Sequence, residues 1–97
     1  IEIEKCLSAH PSVLECAVIA VPDSKWGEVP KALVVLKEGA EATERELLDF
    51  CKMRLAGYKC PRSIDFYDLL PKGGTGKILK KTLREKYWVG EEKRVHG

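Results

Sequence analysis

Apolar positions at Ile3, Cys6 and Leu7 recur with helical spacing and predict a short helix over residues 1–9. His10-Pro11-Ser12 ends it, because the residue before a proline is pushed out of the α region. The pattern then changes to a run. Val13, Leu14, Cys16, Ala17, Val18, Ile19, Ala20 and Val21 predict a strand, and from Cys16 onward the run does not alternate. An unbroken apolar run of this length predicts burial on both faces. Pro22-Asp23-Ser24 is turn chemistry, and Trp26 to Pro30 reads as a loop between strands. Trp26 itself reads as a loop aromatic capping the core, with a binding role as the alternative. Ala32 to Leu36 is a second strand, and a connection of about ten residues suits an antiparallel pair.

Thr43 and Glu46 stand at the N-cap and N3 positions of a capping box. The helix they open carries Leu47, Leu48, Cys51 and Leu55 on its inner side and Phe50 on its flank. Gly57 supplies a stop at C′. Residues 58–62 form a bend. Residues 63–68 alternate and predict a third strand with Ile64 and Phe66 inward. Leu79, Leu83 and Tyr87 then recur at i, i+4 and i+8, so a last helix docks one face and leaves Lys80, Lys81 and Arg84 outward. From Gly90 to Gly97 there is no periodicity, as in a frayed tail. The order α-β-β-α-β-α predicts an α+β fold, a small three-stranded sheet flanked by helices.

The 97 residues make one domain. No apolar run approaches the ~20 residues that span a bilayer, so no transmembrane segment is expected. The chain has neither an initiator methionine nor a signal-peptide layout and reads as a piece of a longer protein. The net charge is only +2, but Lys72, Lys77, Lys80, Lys81, Arg84 and Lys86 crowd one region against Glu85 alone. Such a field suits a phosphate-bearing small molecule. Without an RNA-binding aromatic signature or zinc-finger spacing, nucleic acid is not an expected partner. Cys6, Cys16, Cys51 and Cys60 form no C-x-x-C pair and read as small buried hydrophobes of a reduced, cytoplasmic protein. His10 and His96 are too isolated for a metal site or a catalytic base.

The chemistry concentrates in Leu70-Pro71-Lys72-Gly73-Gly74-Thr75-Gly76-Lys77. Two readings fit this stretch alone. One is a surface turn before a solvated basic helix. The other is a bendable glycine loop that delivers the Lys77 cation to a phosphate or carboxylate. A P-loop is excluded, because Ile78 follows Gly76-Lys77 and Pro71 occupies the first glycine position. No Ser-His-Asp or Cys-His arrangement is apparent. Asp65 and Asp68 read as solvated turn and edge carboxylates, with the orientation of a partner as the alternative. What is left is one positioned cation, which can stabilise charge developing in a transition state.

Pro71 to Lys77 resembles the P-x-x-x-x-G-K motif near the C-terminus of the adenylate-forming enzymes: acyl-CoA synthetases, peptide-synthetase adenylation domains and luciferases. Ordered upstream segments agree with the family pattern. They are Ile1 to Leu7, His10-Pro11-Ser12-Val13 with Cys16-Ala17-Val18, Val21-Pro22-Asp23 with Gly27-Glu28 and Lys31-Ala32, and Tyr58-Lys59-Cys60-Pro61. The likeness covers residues 1 to about 88 and is nearest to fatty-acid acyl-CoA synthetases. It implies a mobile C-terminal lid domain over residues 1–88, a flexible tail over 89–97, and a large N-terminal domain and hinge outside this chain. That N-terminal domain would be its partner and would hold most of the ATP, Mg2+ and CoA. Lys77 matches the lysine that reaches the ATP α-phosphate and the carboxylate substrate, with Gly74, Thr75 and Gly76 forming its loop. Lys59 and Arg62 are candidates for CoA phosphate contacts. A rotation of the lid between adenylation and thioester formation is also implied, as is inactivity of the chain by itself. The family pattern often has threonine where Gly73 stands, and the glycine predicts a more mobile loop. A carrier-protein acceptor, as in peptide-synthetase adenylation domains, and a free-standing basic anion-binding module remain as alternatives.

Overall fold

The computed structural model describes residues 2–89, and the tail expected over Gly90–Gly97 lies outside the described residues. Helix α1 is Glu2–Ser8, followed by strands β1 (Val13–Asp23) and β2 (Gly27–Leu36). Helix α2 (Glu44–Arg54) leads through a 3-10 turn at Gly57–Lys59 into β3 (Ser63–Phe66), and α3 is Lys80–Trp88. The α+β class and the element order are those expected from the sequence.

The sheet order is β1-β2-β3. β1 and β2 pair antiparallel, with Val18 opposite Ala32. β2 and β3 pair parallel, with Ala32 opposite Ile64, because α2 carries the chain back across one face. Both faces of the sheet are covered. On one, Val13, Cys16, Ala32, Val34 and Ile64 pack with Leu7 of α1 and Leu47 and Cys51 of α2. On the other, Ala17, Ile19, Val21, Leu33 and Val35 pack with Leu70 and with Leu83 of α3. This two-sided cover is why the run from Cys16 to Val21 does not alternate.

Helix-borne side chains close the sheet edges. The Val18 N–H on the outer edge of β1 donates to Glu4 Oε2 at 2.7 Å, and the Trp88 indole donates to the Ala20 carbonyl at 2.8 Å. On the outer edge of β3 the Ile64 N–H donates to Glu44 Oε2 at 2.7 Å. Unpaired edge groups would otherwise template association with another strand.

Several local expectations are corrected. β1 runs on through Pro22 to Asp23, and β2 already begins at Gly27. The ten-residue loop is therefore a hairpin of Ser24, Lys25 and Trp26. Proline is accommodated in β1 because β1 is an edge strand. Asp23 Oδ2 accepts the Lys25 and Trp26 N–H groups at 3.0 and 2.8 Å, and Gly27 takes φ +83°. The tip projects, so Trp26 is 59% exposed and does not cap the core. α2 stops at Arg54 with Leu55 as its C-cap, and Gly57 opens the 3-10 turn instead of ending the helix. Thr43 does cap α2, its hydroxyl accepting the Glu46 N–H at 3.1 Å. Phe66 shares the face of Ile64 by register but is 43% exposed at the end of β3. Leu79 precedes α3 and is 40% exposed, leaving Leu83 as that helix's buried anchor.

Candidate functional site

Leu70 begins the site. It is 1% exposed and sits in the second core cluster, so the chain enters the loop from a fixed point. Beyond it the backbone folds into a small hairpin. Lys72 pairs with Ile78 in an antiparallel bridge. The Gly73 N–H donates to the Lys77 carbonyl at 2.8 Å, Gly76 N–H to the Gly73 carbonyl at 3.0 Å, and Leu79 N–H to the Pro71 carbonyl at 2.8 Å. Gly76 takes φ +85°, a conformation that an L side chain rarely adopts. The bendable loop expected from its glycines is thus a hydrogen-bonded turn. Gly73 lies close against Leu79: a Cβ there would come within 3.3 Å of Leu79 Cδ2. Gly74 and Thr75 form the exposed tip, and Lys77 is exposed at its base.

Two ion pairs flank the hairpin. The Lys72 ammonium contacts both oxygens of Glu15, at 2.8 and 3.1 Å. The Lys80 ammonium lies 2.6 Å from Glu4 Oε2, the same oxygen that accepts the Val18 N–H. Burial pushes the Glu4 carboxyl up, but the Lys80 and Val18 hydrogen bonds outweigh it and hold the group below its ordinary 4.5. Among the described residues the Lys77 ammonium makes neither an ion pair nor a hydrogen bond, so it is the uncompensated cation of the loop. An exposed ammonium on an ordered turn can approach an anion that another surface presents.

Lys59 and Arg62 are not brought to this loop. Lys59 pairs with Glu2 at 3.3 Å, and Arg62 is exposed while its N–H donates to the Pro30 carbonyl. Arg62 lies toward the end of the sheet where β2 begins. The loop is tied to Glu15, which stands opposite Val35 near the other end of β2. Pro30 and Val35 are five positions apart, about 17 Å along the strand at ~3.3 Å per residue. Gly74, Thr75, Gly76 and Lys77 therefore share one turn, and Arg62 belongs to another part of the surface. Lys81 and Arg84 are exposed, as expected.

Asp65 is not merely a solvated edge carboxylate. It accepts from Lys31 Nζ at 2.9 Å and from the Tyr87 hydroxyl at 2.6 Å, and the Tyr87 and Tyr67 hydroxyls lie 2.7 Å apart. The network pins α3 to β2 and β3. The sequence reading missed the roles of Glu4 and Glu15. A polar residue within the apolar run from Leu14 to Cys16 was the available signal for Glu15, but its partner lies 57 positions away. Among the described residues no group of three or more His, Cys, Asp or Glu side chains is placed to hold a metal ion. No described helix is long and apolar enough to cross a membrane.

Comparison with known proteins gives a consistent result. A family model described as the AMP-binding enzyme C-terminal domain matches residues 2–77. A feruloyl-CoA synthase of Amycolatopsis is 50% identical over 86 residues, covering 89% of this chain and 18% of its own length. The solved fatty acyl CoA synthetase of Mycobacterium tuberculosis superposes with a TM-score of 0.84 at 44% identity, over 92% of this chain and 18% of that one. The ATP-bound structure of MatB from Rhodopseudomonas palustris also gives 0.84, at 41% identity, over 89% of this chain and 17% of that one. The chain thus spans less than a fifth of the length of the relatives it matches.

Proposed function

The chain belongs to the AMP-binding enzyme C-terminal domain family, and from that premise we propose that it is the mobile C-terminal lid of an ATP-dependent acyl-CoA ligase. Its larger partner is the N-terminal domain of the same protein, which holds ATP, CoA and the carboxylic acid. In the first half-reaction a carboxylate oxygen attacks the ATP α-phosphorus and the bond to the β-phosphate breaks, giving acyl-adenylate and pyrophosphate. Lys77 bridges the attacking carboxylate and the α-phosphate, holding two anions together and offsetting charge as it gathers on the phosphoryl oxygens. In the second half-reaction the CoA sulfur attacks the acyl carbon and AMP leaves. The lid rotates between the two steps and withdraws Lys77.

One observation carries this reading: Lys77 is an exposed cation without a counter-ion among the described residues, mounted on a hydrogen-bonded turn whose neighbouring lysines are neutralised. The distance of Arg62 from that turn, and the pairing of Lys59 with Glu2 away from it in α1, support a division of labour. They would meet the CoA phosphates when the other end of the sheet faces the active site. The four cysteines are free thiols, in keeping with a reducing compartment such as the cytoplasm. The relatives carry names that refer to feruloyl and fatty acyl groups, in keeping with selection of the acid by the N-terminal domain.

Lys77→Ala in the full-length protein tests the assignment. ATP–pyrophosphate exchange should fall by about 10²–10³, the loss typical of removing one group that stabilises transition-state charge. Preformed acyl-adenylate should still react with CoA. An equal fall in both half-reactions would refute the role given to Lys77.

A further inference from the structure

The Lys77 turn is fastened from a distance. Its first basic residue, Lys72, is held by both carboxylate oxygens of Glu15, which lies at the start of β1. Glu15 reaches that position by the regular alternation of the strand, which is broken only just before it. β1 pairs Val13 with Leu36 but Glu15 with Val35, so Leu14 is an extra residue in the ladder. Leu14 is accordingly 61% exposed. The bulge shifts Val13, which joins Cys16 on one core face, while Glu15 keeps the regular alternation that puts it on the face of Ala17 and Ile19. That face carries Leu70, the turn and α3.

We propose that Glu15 is a positioning residue for the adenylation step, seating the Lys77 turn through Lys72 and withdrawing the Lys72 charge from the incoming anion. The proposal rests on the adenylation role proposed for Lys77. Without Glu15, Lys72 becomes a second free ammonium five residues from Lys77. The α-phosphate and carboxylate could then settle on either cation, and only one arrangement is productive. The base of the hairpin would also lose its tie to the sheet. Glu4 holds Lys80 on the other flank, but it also satisfies the Val18 N–H, so its removal would mix two effects. Glu15 isolates the positioning role.

The test uses the full-length protein and four variants: Glu15→Lys, Lys72→Glu, the double reversal, and Lys77→Ala as reference. Glu15→Lys should lower kcat for ATP–pyrophosphate exchange about tenfold or more, since a misplacement of ~1 Å can cost ~10²-fold. CoA transfer from preformed acyl-adenylate should stay within about twofold of wild type, because that step does not use the turn. The double reversal should restore exchange to within about threefold of wild type, as expected of a directly coupled pair. A wild-type exchange rate in Glu15→Lys, parallel loss of both half-reactions, or no recovery in the double reversal would each overturn the proposal. If Glu15→Lys does not fold, Glu15→Gln replaces it. That variant keeps the shape and removes the charge, and unchanged exchange in it is equally decisive. The reference separates the two ideas. Exchange that survives Lys77→Ala removes the adenylation reading itself, whereas exchange lost in Lys77→Ala and intact in Glu15→Lys removes only the positioning role.

Discussion

Leu70→Ala separates anchoring of the loop from general stability. Leu70 is almost fully buried against the core formed by Ala17, Ile19, Leu33 and Leu83, yet it lies in irregular chain immediately before the turn. The substitution removes three carbons, worth about 2.4 kcal/mol at ~0.8 kcal/mol for each buried methylene. The cavity left behind raises the total to about 3 kcal/mol, within the ~2–5 kcal/mol range of buried leucine truncations. For a domain of this size that is a fall in Tm of roughly 12–24 °C. The urea midpoint should move down with m unchanged. Leu47→Ala is the control. Leu47 is equally buried but lies in α2 on the opposite face of the sheet, so it should cost a similar amount of stability and leave the turn seated. In the full-length protein, at a temperature where both variants remain folded, Leu70→Ala should slow adenylation more than Leu47→Ala. A stability loss below about 1 kcal/mol for Leu70→Ala, outside the usual range for a buried leucine, would refute the packing argument. Equal adenylation rates in the two variants would refute the anchoring argument.

Two further outcomes follow from the electrostatics and the burial of thiols. Burial raises the Asp65 carboxyl, but the Tyr87 hydroxyl and the Lys31 ammonium outweigh it and hold it below its ordinary 3.8. A depressed carboxylate stabilises the fold above its unfolded value, and that contribution is lost as pH falls through the folded value. Asp65→Asn should therefore be destabilising at neutral pH, and the gap to wild type should close below about pH 4; a gap constant with pH, read by urea melts across the range, would contradict the network. Burial, reinforced by the neighbouring Cys6 thiol, pushes the Cys51 thiol up to about 12. In a timed alkylation at pH 8 read by mass spectrometry, half-buried Cys6 should react first and Cys51 only on unfolding, and early labelling of Cys51 would contradict the packing of α1 on α2.

The legible parts of this chain were those in which the interaction is local or periodic. The Thr43 cap depends on neighbours within a few positions, and the inner face of α2 and the two-sided burial of β1 show in the spacing of their apolar residues. Errors arose where a second element decides the outcome. Phe66 has the right parity for the core, but burial needs cover from another element, and at the end of β3 it stays 43% exposed. Trp26 was read by its hydrophobicity, whereas the Asp23 side chain and Gly27 fix a tight hairpin that turns it outward. The glycines of the Lys77 turn suggested freedom, and the cross-turn hydrogen bonds remove much of it. In the site itself, Lys77 stood out through its motif, while Glu15 and Glu4 did not, because each acts on a lysine far away in sequence.

The bulge at Leu14 links these levels. A regular strand would place Val13 and Glu15 on the same face, and one of them would be wrongly set. Glu15 is in step with Ala17 and Ile19, so it is the valine that would leave the α1–α2 core. One extra residue resolves the conflict by exposing Leu14, which loses some burial. Glu15 keeps the face where Lys72 reaches it. The irregularity thus serves the packing of Val13, and the seating of the Lys77 turn rests on the regular part of the strand. Deleting Leu14 would leave a regular strand with Val13 and Glu15 on their present faces, so it should spare both the core and adenylation, whereas Glu15→Gln should spare the core and slow adenylation.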